Sequence, residues 1–372
     1  MLKADRKPVS REDVLAFRDH EQPVMLRTAI GLTFAGEDLS GVRFIECDLS
    51  GCDFSGADLS NATIVSCRLT KAAFNKANLK NTQIVRCEMS GIEMRETKVE
   101  RLQIVAGDAS NSSFAGSTFN EVSLAQPNLA NTDFSATKFD RAALLAPDIK
   151  NATFENAVLS NFMLTEADLR PVNITGAHID IALFAEANLS GRDLSGQSWQ
   201  HCTFHQGSFK GTRLDGANLS ASVFAECDFE GASLTGVTAN TTCFAKSRLD
   251  GVDLSGSQFT MANFAGAGLS GTRFTSSQLF SAVFLEADCR AALMDRCDLR
   301  QAEFSNSDLS GANLGASHFF NTKFHGAKTE QTVMLGTAGN RIETDTERLK
   351  AERYRTDKVV LHGEHPVNRG IA

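Results

Sequence analysis

Two short clusters in this 372-residue chain carry the side chains of a metal site. His201-Cys202-Thr203-Phe204-His205 would put two imidazoles on one face of a helix, at a spacing zinc sites use. His362-Gly363-Glu364-His365 offers a second pair, with no third ligand nearby in sequence. Nine cysteines would supply thiolates or disulfides, and 45 Asp and Glu residues would supply carboxylate pairs for acid–base work. No Gly-rich phosphate loop and no Gly-x-Ser-x-Gly nucleophile turn is present. Each of these readings depends on the element that carries the residues.

That element is set by a period of five. Every fifth residue from Phe34 to Phe324 falls in one unbroken frame and is almost always large and apolar, with Ala109, Ala239 and Cys289 as the departures. Of the 26 Phe residues, 22 lie in this frame, which fixes the architecture before any motif does. A period of five fits neither a helix nor a continuous strand. It suits short extended pieces joined by tight turns, each sending one large side chain inward. Two residues earlier is a small inward position: Cys47, Cys52, Ala57, Ala62, Cys67, Ala72, Ala77. The residue before the large one is often Asp or Asn, and Ser-Gly follows it, as in Ser40-Gly41 and Ser190-Gly191, which are turn formers.

The consensus A-(D/N)-(L/F)-(S/T/A)-(G/N) is seen in Ala57-Asp58-Leu59-Ser60-Asn61 and Ala187-Asn188-Leu189-Ser190-Gly191. It resembles the pentapeptide-repeat family over about four fifths of the chain. The resemblance implies an all-β solenoid, a right-handed quadrilateral β-helix with four repeats of five per coil. An independent pattern supports four repeats per coil. Phe concentrates at positions ending in 4 and Leu at those ending in 9, and only an even number of repeats stacks like on like. The frame then gives about 15 coils and a rod roughly 70 Å long at about 4.8 Å per coil. Such a rod needs caps at both ends. We expect residues 1–23 to form an N-terminal cap, 24–335 the β-helix, and 336–372 a C-terminal helix and tail. Ser10, Glu12 and Asp13 mark a helix start over about 11–19, with Val14, Leu15 and Phe17 as its apolar face and Pro23 barring its continuation. Glu343–Arg355 reads as a second helix, and Val359-Val360-Leu361 lies in a tail that either docks as a strand or stays disordered.

The frame disposes of the metal and catalytic readings. Cys47, Cys52, Cys67, Cys87, Cys202, Cys227 and Cys297 take the small inward position and Cys289 a large one, so they pack as small apolar side chains. Cys202 points inward while His201 and His205 fall beyond different corners. The Asp residues sit where turns need them. No insertion interrupts Phe34–Phe324, which leaves nowhere to build a pocket. We therefore expect no enzyme activity, no cofactor and no metal. Buried free thiols point to a reducing compartment, no signal core follows the first residues, and no membrane-spanning run occurs. This reads as a cytoplasmic protein, or one secreted without a cleaved signal. The net charge of −8 argues against nucleic-acid binding. One coil breaks the rules: Arg192 and Gln197 fall at small inward positions beside Trp199, so either the wall bulges there or Arg192 is paired. Met89–Ala109 is the most degenerate stretch of the frame.

Function must lie on the outer faces. On the wall whose large residues begin with Phe44 and Ile64, the outward residues read Ile45, Val65, Val85, Val105 and Leu145, then Met163, Leu183, Val223, Val283 and Leu285. The opposite wall reads Ala35, Ser55, Asn75, Arg95, Ala115, Ser135. The apolar stripe is either a docking or dimerisation surface or the residue preference of a flat strand wall. Beside it runs an acidic edge of Glu46, Asp48, Glu166, Asp168, Glu186, Glu226, Asp228, Glu286 and Asp288, which suggests a basic partner surface. The expected partner is a protein, with homodimerisation through the apolar wall or a terminal cap as one form of it. The resemblance implies two roles: an adaptor or effector of a bacterial, type VI-like secretion system, or a DNA mimic that binds gyrase or topoisomerase. Against the second stand the rod's length, its lack of projecting loops and the charged character of its C-terminal helix.

Overall fold

The residue two places after nearly every large inward side chain sits in the left-handed region, at φ from +45° (Ala106) to +74° (Gly336). This is the third residue of a type II turn, where Gly or Asn is favoured because a Cβ crowds the following carbonyl. At most corners the turn is closed by a hydrogen bond, such as Val42 N–H to Leu39 O at 3.1 Å and Ala57 N–H to Phe54 O at 3.0 Å. Where Asp or Asn precedes the large residue, it braces the same corner. Asp58 Oδ1 accepts the Ser60 amide at 2.8 Å, and Asp38, Asp53, Asp133 and Asp253 repeat the contact. Turn chemistry thus recurs every five residues and bends the chain through four corners per coil.

The computed structural model describes residues 6–352, which form a parallel β-solenoid of about 17 turns. Coils stack in a 20-residue register. Phe44, Ile64, Ile84, Ile104, Leu124, Leu144, Leu164, Phe184 and Phe204 are consecutive partners on one wall. The N–H of a large residue donates to the next coil, to the carbonyl just before its stacked partner (Phe34 to Asp53, 2.7 Å). The residue before the large one donates back to the previous coil (Asp53 to Leu32, 3.0 Å). The four walls are named here by their first large residues: Phe34, Leu39, Phe44 and Leu49. Regular strands concentrate on the Phe44 wall, from Arg43–Ile45 through Thr203–His205; beyond that, single bridges continue the ladder to Lys323. Met89–Ala109, the degenerate stretch, is paired in the same register, with Cys87 opposite Gly107.

Inside, Phe rings stack at the coil spacing. Phe184, Phe204, Phe224, Phe244, Phe264, Phe284, Phe304 and Phe324 form one column with centroids 4.7–5.4 Å apart. Phe34–Phe54–Phe74 and Phe114–Phe134–Phe154 form shorter stacks on the Phe34 wall. Small inward hydroxyls and thiols build a second ladder by donating to the large residue's carbonyl 23 positions earlier. Examples are Thr82 to Leu59 at 2.8 Å, Ser222 to Trp199 at 2.6 Å and Cys297 to Phe274 at 2.9 Å. These bonds keep buried polar atoms satisfied.

The ladder begins and ends beyond the frame. Lys7–Pro8 pairs with Arg27–Thr28, so helix α1 (Arg11–Asp19) lies within one 20-residue turn. Its start is at the expected N-cap, Ser10, where Asp13 also reaches back to complete a capping box, and Val14 is buried, with Leu15 and Phe17 packed against the core. At the other end Arg341–Ile342 pairs with Thr322–Lys323. These terminal turns extend the count past the roughly 15 coils that the frame alone gives. Helix α2 (Thr346–Glu352) follows, shorter within the described residues than the expected Glu343–Arg355. Val359-Val360-Leu361 and His362-Gly363-Glu364-His365 lie outside the described residues.

The irregular coil is resolved by pairing. Arg192 Nη1 donates to Leu169 O at 2.6 Å, the carbonyl that a Ser or Thr would use, and also to Val172 O. Both Arg192 and Gln197 keep partial exposure, and burial lowers the Arg192 pKa from its usual value. Trp199 is buried edge-on against Phe184 and Phe204, and its indole N–H has no partner among the described residues. Arg192→Thr should therefore stabilise the protein, because threonine makes the same carbonyl bond without a half-buried charge. Thr212, one coil on, already does so at 3.0 Å. We expect a gain of about 1 kcal/mol and a higher denaturation midpoint; a lower midpoint would show that the guanidinium does more than fill the ladder.

Candidate protein-docking wall

Two side chains per coil point outward from the Phe44 wall, one on each side of the inward residue. The first column runs Thr63, Gln83, Gln103, Ser123, Ala143, Met163, Leu183, Thr203, Val223, Cys243, Asn263, Val283, all in ladder register. The second runs Val65, Val85, Val105, Ala125, Leu145, Thr165, Ala185, His205, Ala225, Ala245, Ala265, Leu285. Neither column holds an Asp, Glu, Lys or Arg over these 12 coils, and Arg43 and Glu303 bound the stretch. The Phe34 wall carries Asp53, Glu93, Arg95, Asp133, Asp193, Arg213 and Asp215 over the same length. The predicted stripe residues Ile45, Val65, Val85, Leu145, Leu183, Val223 and Val283 are half-buried there by their neighbours, while Val105, Met163 and Leu285 are exposed.

Exposure singles out this wall. Between residues 31 and 319, five large hydrophobic side chains are exposed: Val105 (45%), Met163 (36%), Ile181 (55%), Met261 (59%) and Leu285 (38%); Ile30 and Phe320, just outside that span, are exposed on other walls. Three lie in the two columns. Ile181 and Met261 stand at the corner between the Leu39 and Phe44 walls, beside Leu183 and Asn263. The expected stripe omits them, because corner positions read as turn chemistry. A bulky residue where Gly or Asn belongs is the available signal. Ile181 sits at φ +53°, which a β-branched residue rarely adopts. Strand preference accounts for Val65, Val85 and Val105, which lie in regular strands. It does not account for Val223, Val283 and Leu285, where pairing has thinned to single bridges.

The acidic edge divides into two classes. Its Asp residues are paired within the rod: Asp48 with Arg68 (3.0 Å), Asp168 with Arg170 (2.8 Å), Asp228 with Lys210 (3.0 Å) and Asp288 with Arg290 (2.6 Å). Its Glu residues (Glu46, Glu166, Glu186, Glu226 and Glu286) stand at the left-handed corner beyond the second column. They form no ion pair among the described residues; Glu226 accepts only a bond from Gln206 at 3.0 Å. The column also holds Arg86 and Lys246. The acidic edge available to a partner is thus the glutamate half.

The remaining candidate chemistry is structural. Eight of the nine cysteines are buried and all are free thiols. Burial pushes Cys52, Cys202, Cys227 and Cys297 up to about 12, far from thiolate reactivity. His201 pairs with Asp180 at 3.2 Å, and His205 faces outward on the Phe44 wall. Among the described residues no group of three or more His, Cys, Asp and Glu is placed to hold a metal ion, and no helix is long and apolar enough to cross a membrane.

The family model described as "Pentapeptide repeats" matches in eight copies over residues 38–91, 182–276 and 282–319, just over half of the chain. No curated protein matches the sequence. Among solved structures, similarity is found to HetL, a pentapeptide repeat protein involved in heterocyst differentiation regulation from the cyanobacterium Nostoc sp. Identity is 19%, covering 74% of this chain and 97% of that one, with a TM-score of 0.19. It is also found to trypsin-treated QnrB1, a plasmid-mediated fluoroquinolone resistance protein. Identity there is 22%, covering 62% and 89%, with a TM-score of 0.27. A third is a pentapeptide repeat protein of the Arabidopsis thaliana thylakoid lumen. Identity is 22%, covering 30% and 71%, with a TM-score of 0.11. None of these likenesses bears on function.

The ion pairs predict an acid limit. Hydrogen bonds from Arg170, Arg290 and Arg300 hold Asp168, Asp288 and Asp298 below the usual 3.8. The Ser310 hydroxyl and amide, with Lys328 at 3.1 Å, lower Asp308 to about 2. A carboxylate lowered by folding stabilises the fold above its unfolded pKa, and that contribution is lost as pH falls through the folded value. The thermal midpoint should therefore hold steady down to about pH 4 and drop between about pH 4 and 2. Asp308→Asn should lower the midpoint at pH 7 and make the acid drop shallower; an unchanged profile would mean the pairs are too solvated to matter.

Proposed function

Because the chain belongs to the pentapeptide-repeat family, whose members form right-handed quadrilateral β-helices, we propose that this one is a non-enzymatic scaffold that holds a protein partner along its Phe44 wall. The matched family indicates no catalytic activity. The observation that carries the reading is the segregation of outward side chains. One wall is uncharged for 12 coils and, with its adjoining corner, bears every exposed large hydrophobic residue between residues 31 and 319. Isolated surface hydrophobes need no explanation, but their gathering on one uncharged wall and its corner supports an interaction surface there. The interaction residues we assign are Ile45, Val65, Val85, Val105, Leu145, Met163, Leu183, Val223, Val283 and Leu285, with Glu46, Glu166, Glu186, Glu226 and Glu286 as the acidic rim. The paired aspartates Asp48, Asp168, Asp228 and Asp288 brace that rim.

The setting we propose is that of an adaptor or effector accompanying a bacterial secretion system, supported by family resemblance alone. The second reading is a DNA mimic that binds gyrase or topoisomerase. One observation favours it: residues 31–335 carry 34 Asp and Glu against 24 Lys and Arg. Against it, the acidic groups are spread among ion pairs on several walls, with the longest wall stretch neutral.

Affinity capture from the source cell's lysate, read by mass spectrometry, tests the assignment. The wild type is compared with Val65→Glu/Val85→Glu and with Met163→Glu/Leu183→Glu. We expect captured partners to be lost from both variants, whose changes point outward and leave the core intact. Gyrase subunits retained by all three proteins would favour the DNA mimic instead, and any partner set indifferent to both variants would remove the wall from consideration.

A further inference from the structure

The cross-section of the Phe44 wall narrows the kind of partner it fits; this rests on the docking reading above. Between Met163 and Glu286 the wall is not flat. On one side stands a column of Met163, Leu183, Val223 and Val283, with Thr203, Cys243 and Asn263 between them, backed by Ile181 and Met261 at the adjoining corner. Next to it the second column starts at Thr165, drops to Ala185, Ala225, Ala245 and Ala265 with His205 among them, and ends at Leu285. Beyond the alanines rises the rim of Glu166, Glu186, Glu226 and Glu286, with Lys246 among them. The result is a shallow trough, apolar on one bank, small-floored, and acidic on the other.

Its length and charge fit one element. From Glu166 to Glu286 is six coils, about 29 Å at about 4.8 Å per coil. An α-helix covers that in about 19 residues and is about 10 Å across, the width of one wall. The gaps between successive glutamates span about one, two and three helical turns. A helix lying lengthwise would put its apolar face on the Met163–Val283 column, its backbone over the alanines, and one flank against the glutamates. That flank must be basic, because carboxylates unpaired within the rod gain most from cations brought by the partner.

A second copy of this chain does not fit. Two rods packed face to face and antiparallel would set glutamate column against glutamate column. Packed parallel, the glutamates would meet the opposite corner (Asn161, Ile181, His201, Ala221, Thr241, Met261 and Ser281), which holds no Lys or Arg. We therefore propose that the trough is the seat of an amphipathic helix of about 20 residues, supplied by another protein, with Lys or Arg along one flank. Ile181 is consistent with the assignment: it and Thr241, both β-branched, are held at φ +53° and +58° in that corner column, where Gly or Asn would suit the turn better.

The test is selection of binders from a displayed library of random peptides, each about 20 residues long, against the full-length chain. Enriched sequences are then measured by fluorescence anisotropy as free peptides. The expected result is enrichment of sequences with helical apolar period and Lys or Arg on one flank. Their affinity should fall at least tenfold with Leu183→Glu, and with Glu186→Lys/Glu226→Lys, and stay unchanged with Asp193→Lys on the Phe34 wall. Glu186→Gln/Glu226→Gln, which leaves the surface uncharged rather than reversed, should give a smaller loss in the same direction. Binders lost with Leu183→Glu but extended or acidic in sequence would overturn the helix while leaving the wall as a docking surface. Binders indifferent to every wall variant would overturn both. A concentration-dependent dimer in sedimentation, abolished by Leu183→Glu, would replace the partner helix with a second copy.

Discussion

The left-handed corner recurring every five residues is the constraint on which this molecule depends. A chain that must enter that region at regular intervals gives up the corner to Gly, Asn or a tolerated substitute. The corner commits the preceding residue pair to a short extended piece and sends one side chain inward. Stacking at the 20-residue register then places that side chain over its equivalent, so Phe stacks on Phe and an inward hydroxyl reaches a carbonyl of the coil before. Where an aspartate precedes the large residue, it closes the cycle by holding the next amide. Local propensity, turn chemistry and core packing all favour the same coil, which is how a sequence specifies one fold.

What this leaves free is narrow. Of every five positions, two are inward and one is a corner. Only the two residues flanking the large one can vary without disturbing the coil. Their charges are spent largely on neighbours two positions along or one coil away, as Arg170 and Arg290 show on Asp168 and Asp288, and Arg68 on Asp48. Surface pairs of this kind contribute little individually. Many of these pairs lie on the other three walls, while the Phe44 wall carries no charge in its two columns over 12 coils and has unpaired glutamates beside it.

The coil, its register, the inward cysteines and the N-terminal helix were legible from the sequence because each follows from position in the frame. The outward placement of the stripe residues was legible for the same reason: a 20-residue period turns a linear sequence into columns. What was not legible depended on side-chain reach. The frame placed Asp168 and Glu166 on one edge without showing that Arg170 would fold back on the first and leave the second open. It marked Arg192 as misplaced without showing that the guanidinium could borrow a hydroxyl's carbonyl. It gave no sign that the ladder would take in Lys7 and Ile342, since those segments lie outside the repeat.

Ile181 and Met261 show where reading by frame can mislead. At a corner the expected question is whether a residue tolerates positive φ, and a poor answer looks like noise in the repeat. Folding alone would replace both with Gly or Asn, since each exposes an apolar side chain and Ile181 adds backbone strain. Both lie on the rim of the one wall that is neutral and apolar, opposite the unpaired glutamates. A cost to folding that recurs at the edge of a single surface is better explained by what that surface holds than by drift in the repeat. In a solenoid whose inward positions answer to the coil, the residues that fit the coil worst are therefore the ones most informative about binding.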